Sequence, residues 1–528
     1  MTVMVRILAF VLCAALMFLP TKHALHMFQQ NRYELKRYTD WMKEKLSRSF
    51  FKLYKEFICF VLILVFLWLP KVWMILLADT ILALLILFVC FKTEKKRQAI
   101  KPLNLTWRVR RQLVVLIVLD ILLFVPFVIK LPFKWMGFLI ILAYLCNWIM
   151  MYLMAVITEP VENMIKEKFM KMAKEIMRTC PAKIVGITGS FGKTSSKNIL
   201  QEILSEKYYS LMTPASFNTP MGITITVREK LKPIHEVFIC EMGADHVGDI
   251  QQLSDFVKPE IGIVTSIGPQ HLNTFGTLQN IIDEKMKLIE NLPEHGVGVL
   301  NLDNEYIRNY QLKNNCKIVT YAIKQEDADL RAVNIVYSSQ GSHFELLQKG
   351  GSCTPFKTKL LGEHNIANIL AAIAVGLEMG ISMEQLQRAV AKVNYVEHRL
   401  EVKKINGLTF IDDAFNSNPV GSSMALNVLK MMPGKRWIVT PGMIDLGEKQ
   451  AQLNKEFGMK MLHKADEVIL VGINQTKPIL AGLKEAGFDK KHIHVVKTVK
   501  EAFAIVYQNA SSEDTILLEN DLPDAFNQ

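Results

Sequence analysis

The spacing of apolar residues divides the chain into a front third of long unbroken runs and a remainder of short ones. Five apolar runs precede residue 160, at 3–19, 51–69, 72–91, 113–129 and 135–157. Runs near 20 residues have the length of a bilayer crossing, so the pattern predicts about five membrane helices over 1–157. The polar stretches between them are basic, with nine Lys/Arg in 22–55 and eight in 92–111. The turns between the other helix ends hold only Lys71, or Lys130 and Lys134. Basic loops stay cytoplasmic, which predicts a multi-pass membrane protein with everything after residue 157 in the cytoplasm. The first run competes with a secretory signal. It lacks a small-residue cleavage site after Leu19 and is followed, rather than preceded, by basic residues, so it reads as a retained helix. Asp79 and Asp120 fall inside apolar runs and receive no catalytic role.

At residue 158 the period changes. Val161, Ile165, Phe169, Met172 and Ile176 recur at helical spacing among Lys and Glu. That predicts an amphipathic linker helix over 158–180, lying on a membrane surface or bracing the next domain. Beyond it, short β-like runs alternate with helical stretches, the pattern of an α/β fold with an open, mostly parallel sheet. The C-terminal strands are predicted at 408–411, 437–440, 467–471, 494–496 and 515–518.

Charge sharpens this division. The net charge of the 528 residues is +12 and the hydrophobic share 50%. Residues 1–180 carry 26 Lys+Arg against 11 Asp+Glu, and the remainder 36 against 39. A nucleic-acid binder gathers basic charge on a folded polar face; here it lies between apolar runs, so no nucleic-acid partner is expected. Eight Cys without CxxC spacing argue against a disulfide framework or a zinc site.

The chemistry begins at 183–195. A β-like run, Lys183–Ile187, enters Thr188-Gly189-Ser190-Phe191-Gly192-Lys193-Thr194-Ser195, and 196–207 reads as a helix. Strand, glycine-rich turn and helix N-terminus together make a phosphate cradle. Glycines admit oxygens to backbone N–H groups, Lys193 adds a point charge, and Thr194 offers a Mg²⁺ ligand. Gly189, Ser190, Gly192, Lys193, Thr194 and Ser195 are therefore the expected ATP contacts. Ile187 stands where the strict GxxxxGK[ST] pattern has its first Gly.

That variant resembles the ATP loop of the Mur ligase family, which adds amino acids to the peptidoglycan stem precursor. Four segments strengthen the resemblance in order: 237–243 with Glu241; 263–267 followed by His271; Lys285, fourteen residues later; and 361–365 with Asn365 and Asn368. His398-Arg399, 411–419 with Asp413, and 442–447 are similar to the D-alanyl-D-alanine-adding branch. The implied fold is a P-loop central domain over 181–396 and a Rossmann-like C-terminal α/β domain over 397–528, following the α-helical membrane region that the apolar runs predict. The implied metal set is Thr194, Glu241, His271 and Lys285, with Lys285 qualifying only when carbamylation turns it into an oxygen donor. Lys193, His271, Lys285 and Arg399 are the implied catalytic set. Asn365 would contact adenine or cap its helix; Asp413 would touch the ribose or cap the turn at 416–419; Asn218-Thr219-Pro220 would line the carboxylate substrate. Arg399 would bridge the C-terminal domain to the phosphates.

Two departures are visible. Membrane runs stand where the family holds the uridine nucleotide, and 517–524 is acidic where that branch is basic. The resulting expectation is a membrane-integral, ATP- and Mg²⁺-dependent amide ligase working through an acyl phosphate. Its expected partners are the lipid bilayer, an amino-acid or dipeptide donor, a lipid-linked envelope precursor and other envelope-synthesis proteins. The alternatives are a polyglutamate-type synthetase, or a P-loop ATPase of a membrane transport or scaffold assembly.

Overall fold

The structure, a computed structural model, describes residues 6–7, 11, 14, 21–31, 33–49, 61–62, 64–96, 103–130, 132, 135–270, 272–338, 340–351, 353–414, 417–444, 446 and 449–520. It comprises two units, Met1–Glu167 and Lys168–Gln528.

The first unit is helical: α1 (Leu35–Ser49), α2 (Val72–Lys96), α3 (Trp107–Lys130) and the start of α4 (Met136–Thr179). Part of its apolar content is spent on helix-to-helix packing. Ala24, Leu25, Phe28 and Tyr38 bury against Leu116, Met150, Met151, Met154 and Ala155. Arg111 grips Glu162 through two 2.8 Å hydrogen bonds. Other apolar side chains of α2 and α3, among them Leu77, Ile81, Leu84, Leu122 and Ile129, are exposed.

The expected membrane region is overturned here. Among the described residues no helix is long and apolar enough to cross a membrane. Of the five expected spans, most of 3–19 and most of 51–69 lie outside the described residues. The other three fall on α2, α3 and α4. Polar or helix-disturbing residues interrupt the first two, with Asp79 buried in α2 and Asp120 and Pro126 in α3. The bilayer as partner and the membrane as location fall with the spans. The linker helix expected over 158–180 falls within α4, which continues through Pro160 without a break as far as Thr179.

The second unit opens with the end of α4, whose Met170, Ala173, Ile176 and Met177 pack against Phe238, Cys240 and Leu253. Its first sheet has nine strands: β1 (Lys183–Thr188), β2 (Ser210–Met212), β3 (Val237–Glu241), β4 (Ile261–Val264), β5 (Val297–Asn301), β6 (Lys317–Ala322), β7 (Leu330–Ser338), β8 (Gly341–Gln348) and β9 (Cys353–Thr358). Their order is β2-β3-β1-β4-β5-β6-β7-β8-β9. Pairing is parallel as far as β7 and antiparallel from β7 to β9. Strands buried on both faces need continuous apolar runs, and all five residues of Val237–Glu241 are buried. Flanking helices include α5 (Lys193–Leu204), α6 (Pro220–Lys230), α7 (Asp249–Val257), α8 (Leu278–Glu290) and α9 (Glu363–Glu378). α9 is buried along Ile366–Val375 and packs on Ile199, Leu200 and Ile203 of α5.

The second sheet contains β10 (Glu401–Ile405), β11 (Leu408–Asp413), β12 (Arg436–Thr440), β13 (Glu467–Val471), β14 (Ile493–Val496) and β15 (Thr515–Glu519). The order is β10-β11-β15-β12-β13-β14, and only β10 is antiparallel. Inserting the last strand between β11 and β12 brings Asp413 level with Glu519. The α/β organisation matches the expectation. The strand expected at 263–267 lies at Ile261–Val264 instead, because the chain leaves the sheet at Thr265 to support the glycine-rich loop.

Candidate active site

The loop between β1 and α5 is shaped by two glycines. Gly189 (φ +149°) has no room for a Cβ against Thr265 Oγ1, and Gly192 (φ +85°) caps α5 with its side-chain space 3.0 Å from Asn368 Oδ1. Thr265 and Ser266 brace the turn by donating to the Phe191 carbonyl at 2.5 and 3.1 Å. Ser190 Oγ donates to Gly268 O and accepts from Gly268 N, both at 3.0 Å. Ser195 is buried on the first turn of α5.

Lys193 Nζ folds back onto carbonyls of its own loop, 2.6 Å from Gly189 O and 3.3 Å from Ser190 O. Desolvation pulls its pKa down to about 8; Glu241 opposes the shift and Arg399 adds to it. Thr194 Oγ1 donates to Glu241 Oε1 at 3.2 Å, and Asn218 Nδ2 donates to the same oxygen at 3.1 Å. The other oxygen accepts from Lys197 Nζ at 2.9 Å. Gly243 makes this possible, since a Cβ there would stand 2.7 Å from the Asn218 amide carbon.

Lys285 on α8 is 2% exposed and donates to Ala244 O at 3.3 Å. Burial, helped by the charge on Lys193, brings its pKa down to about 7 against the opposing pull of Glu284, Asp249 and Asp245. Its neighbour Glu284 accepts from Gly248 N and Ile250 N at 2.9 and 2.6 Å, anchoring the start of α7. Asp245, His246 and Asp249 bring potential metal-ligand atoms within 4.8 Å of one another. Asp249 Oδ2 is already engaged by the backbone N–H groups of Asp245 and His246. His271 lies outside the described residues.

The C-terminal domain reaches the same neighbourhood through Arg399. Burial lowers its pKa, while the charges of Asp413 and Glu241 pull it back up. His398 and Leu400 on either side adopt left-handed backbone (φ +58° and +47°). Asp413 Oδ1 accepts from Leu400 N at 3.1 Å, fixing this bend to β11. Burial raises Asp413 to about 6. It also holds Glu519 well above the carboxylate range, and the adjacent Asp413 charge adds to that shift.

Two expected caps are corrected. Gly362 occupies the N-cap of α9, and Asn365 instead donates to Leu361 O at 2.9 Å. The helix at Pro419–Lys430 is capped by Asn418, so Asp413 is not needed for that turn. Lys197 is the residue that motif reading missed. It lies on the buried stripe of α5 with Leu200 and Leu204, and a lysine at that period was the available signal.

A nucleotide fits these residues. His364 Nδ1 and Asn368 Nδ2 are buried without hydrogen-bond partners, and Asn368 borders Gly192. Such orphaned groups have a physical rationale where a ligand completes them. A metal fits the donor chemistry of Thr194 and Glu241, both oxygen ligands suited to Mg²⁺.

The sequence matches the Mur ligase middle domain over 187–376 and the Mur ligase glutamate ligase domain over 398–519. A UDP-N-acetylmuramoylalanine--D-glutamate ligase of Caldicellulosiruptor bescii is 30% identical over 348 residues, covering 65% of this chain and 70% of the relative. The chain belongs to the Mur ligase family. Members of this family are ATP-dependent amide ligases. This Mur ligase is also similar to the UDP-N-acetylmuramoyl-tripeptide--D-alanyl-D-alanine ligase of Bacillus subtilis (strain 168), at 29% identity over 66% of this chain and 75% of that one. It spans 63% to 75% of the length of four relatives bearing that name. In fold it is similar to MurF of Thermotoga maritima in complex with ADP, with a TM-score of 0.61 at 23% identity over 68% of this Mur ligase and 81% of MurF.

Proposed function

We propose that this Mur ligase adds D-alanyl-D-alanine to the peptide carboxylate of a UDP-linked peptidoglycan precursor, forming ADP and phosphate. The observation that carries the reading is the glycine-rich loop at the start of α5, where Lys193 Nζ folds onto the loop carbonyls and Thr194 Oγ1 donates to the buried Glu241. The substrates come from the relatives' names, UDP-N-acetylmuramoyl-tripeptide--D-alanyl-D-alanine ligase. A UDP-linked acceptor, as in those names, takes the place of the lipid-linked one expected because apolar runs stand where the family holds the uridine nucleotide.

In this reading Gly189, Ser190, Gly192 and Ser195 border the phosphates through the loop and the first turn of α5. Lys193 exchanges its loop carbonyls for phosphate oxygens. The acceptor carboxylate attacks the γ-phosphorus and ADP leaves; the amine then attacks the acyl carbon, and phosphate departs with one former carboxylate oxygen. Two anions must meet in the first step, so preset positive charge carries much of the catalysis. Lys193 and Arg399 supply it from opposite domains. Thr194 and Glu241 would hold Mg²⁺, which supplies further charge neutralisation when bound. Lys285, whose pKa burial brings down to about 7, holds a share of neutral amine at that pH that can take up CO₂, releasing a proton, and become an anionic oxygen donor; His271 is the further expected donor. Asn365 borders the adenine and Asp413 the ribose.

Purified protein supplied with ATP, Mg²⁺, UDP-N-acetylmuramoyl-tripeptide and D-alanyl-D-alanine tests the reading. Expected is a product heavier by one dipeptide unit, with ADP release requiring both substrates. Equal ADP release without the dipeptide would overturn it.

A further inference from the structure

Lys197 and Glu241 form a fully enclosed ion pair, with side chains 0% and 1% exposed. Removing two charges from water is seldom repaid in stability, and an apolar pair of similar size often does as well. The geometric role of this ammonium is therefore more informative than its contribution to folding.

Lys197 touches two separate pieces of backbone. Its Nζ donates to Glu241 Oε2 at 2.9 Å and also to the carbonyl of Ala215. Ala215 adopts left-handed backbone at φ +44°, a conformation unfavourable for alanine. That strained residue belongs to the connection 213–219 between β2 and α6. The connection is tied to Glu241 twice more. Thr213 Oγ1 accepts from Glu241 N at 3.1 Å, and Asn218 Nδ2 donates to Glu241 Oε1 at 3.1 Å. It ends at Thr219, which caps α6 by accepting from Gly222 N.

Glu241 thus divides its oxygens. Oε2 is committed to Lys197, while Oε1 faces Thr194 and Asn218 on the side of the phosphate loop. We propose that Lys197 is a positioning residue that locks Glu241 and the 213–219 connection into one rigid piece. Engagement of Glu241 by a magnesium nucleotide is thereby transmitted to the connection, whose Asn218 and Thr219 are expected to line the carboxylate substrate. The inference rests on the nucleotide reading of the glycine-rich loop. The Lys197 side chain is fully enclosed and acts through its two partners, Glu241 and the Ala215 carbonyl.

Amide hydrogen exchange on the full chain, with and without Mg²⁺-ADP, tests this without turnover. In the unaltered protein, Mg²⁺-ADP should slow exchange in both 189–194 and 213–219, each by about fivefold or more. In Lys197→Met, protection of 189–194 should persist while that of 213–219 disappears. Lys197→Arg retains the charge and should recover part of it. Unaltered protein that protects 189–194 but not 213–219 would overturn the proposal whatever the variants do. So would a Met variant that protects both segments equally. Protection of neither segment in the unaltered protein would instead contradict the nucleotide reading, and with it the basis of this inference.

Discussion

Glu241 Oε2 lies 2.9 Å from Lys197 Nζ, with both side chains closed off from solvent. The opposite oxygen of the same carboxylate lies 3.2 Å from Thr194 Oγ1. One buried acid therefore faces two ways, toward a structural cation and toward the phosphate loop.

Neutralising that acid should cost stability as well as function. Glu241→Gln leaves the Lys197 ammonium buried without its counter-charge, and breaking such a pair typically costs about 3–5 kcal/mol. Thermal or denaturant unfolding should show this loss in the absence of any nucleotide. Mg²⁺-dependent strengthening of ADP binding should weaken in parallel.

Lys193 and Arg399 belong to different domains, so under the proposed mechanism their removal should look different. Lys193→Ala should lower turnover by about 10²–10³-fold and weaken ADP binding measured by calorimetry. Arg399→Ala should lower turnover on a similar scale, with little change in ADP affinity, because Arg399 enters from the C-terminal domain. Equal losses of ADP affinity in both variants would contradict that division.

Lys285 gives a pH dependence. Its pKa in the folded protein, about 7, is below the ordinary lysine value of 10.5. Between those values the unfolded chain holds the extra proton, so this group makes stability rise with pH across roughly pH 7 to 10. The same shift leaves a neutral amine above pH 7, the form that reacts with CO₂. Carbon NMR with labelled bicarbonate should show a carbamate signal that grows from pH 6 to 8 and is missing in Lys285→Ala. Short carboxylic acids should restore part of that variant's activity.

The sequence carried much of this architecture because several signals were local. The glycine-rich turn after Lys183–Ile187, the buried strand ending at Glu241 and the strands of the C-terminal sheet depend on short-range pattern. Lys197 was not legible by motif, since its partner lies 44 residues away and only the fold joins them. The pairing of Asp413 with Glu519 was hidden for the same reason, arising when the last strand inserts beside β11. The front third misled because long apolar runs alone do not separate bilayer spans from helices packed on one another. Leu116 and Met151, which fall within expected spans, bury against Phe28 and Tyr38.

The most direct test of carboxylate activation follows one oxygen. An acceptor labelled with ¹⁸O in its reacting carboxylate is turned over with ATP and D-alanyl-D-alanine, and the released phosphate is weighed by mass spectrometry. The mechanism predicts one ¹⁸O in each phosphate released, because the oxygen that bonds to phosphorus is the one later cleaved from carbon. Phosphate without label, alongside continued ADP formation, would mean that water rather than the carboxylate attacks ATP, and would contradict the account.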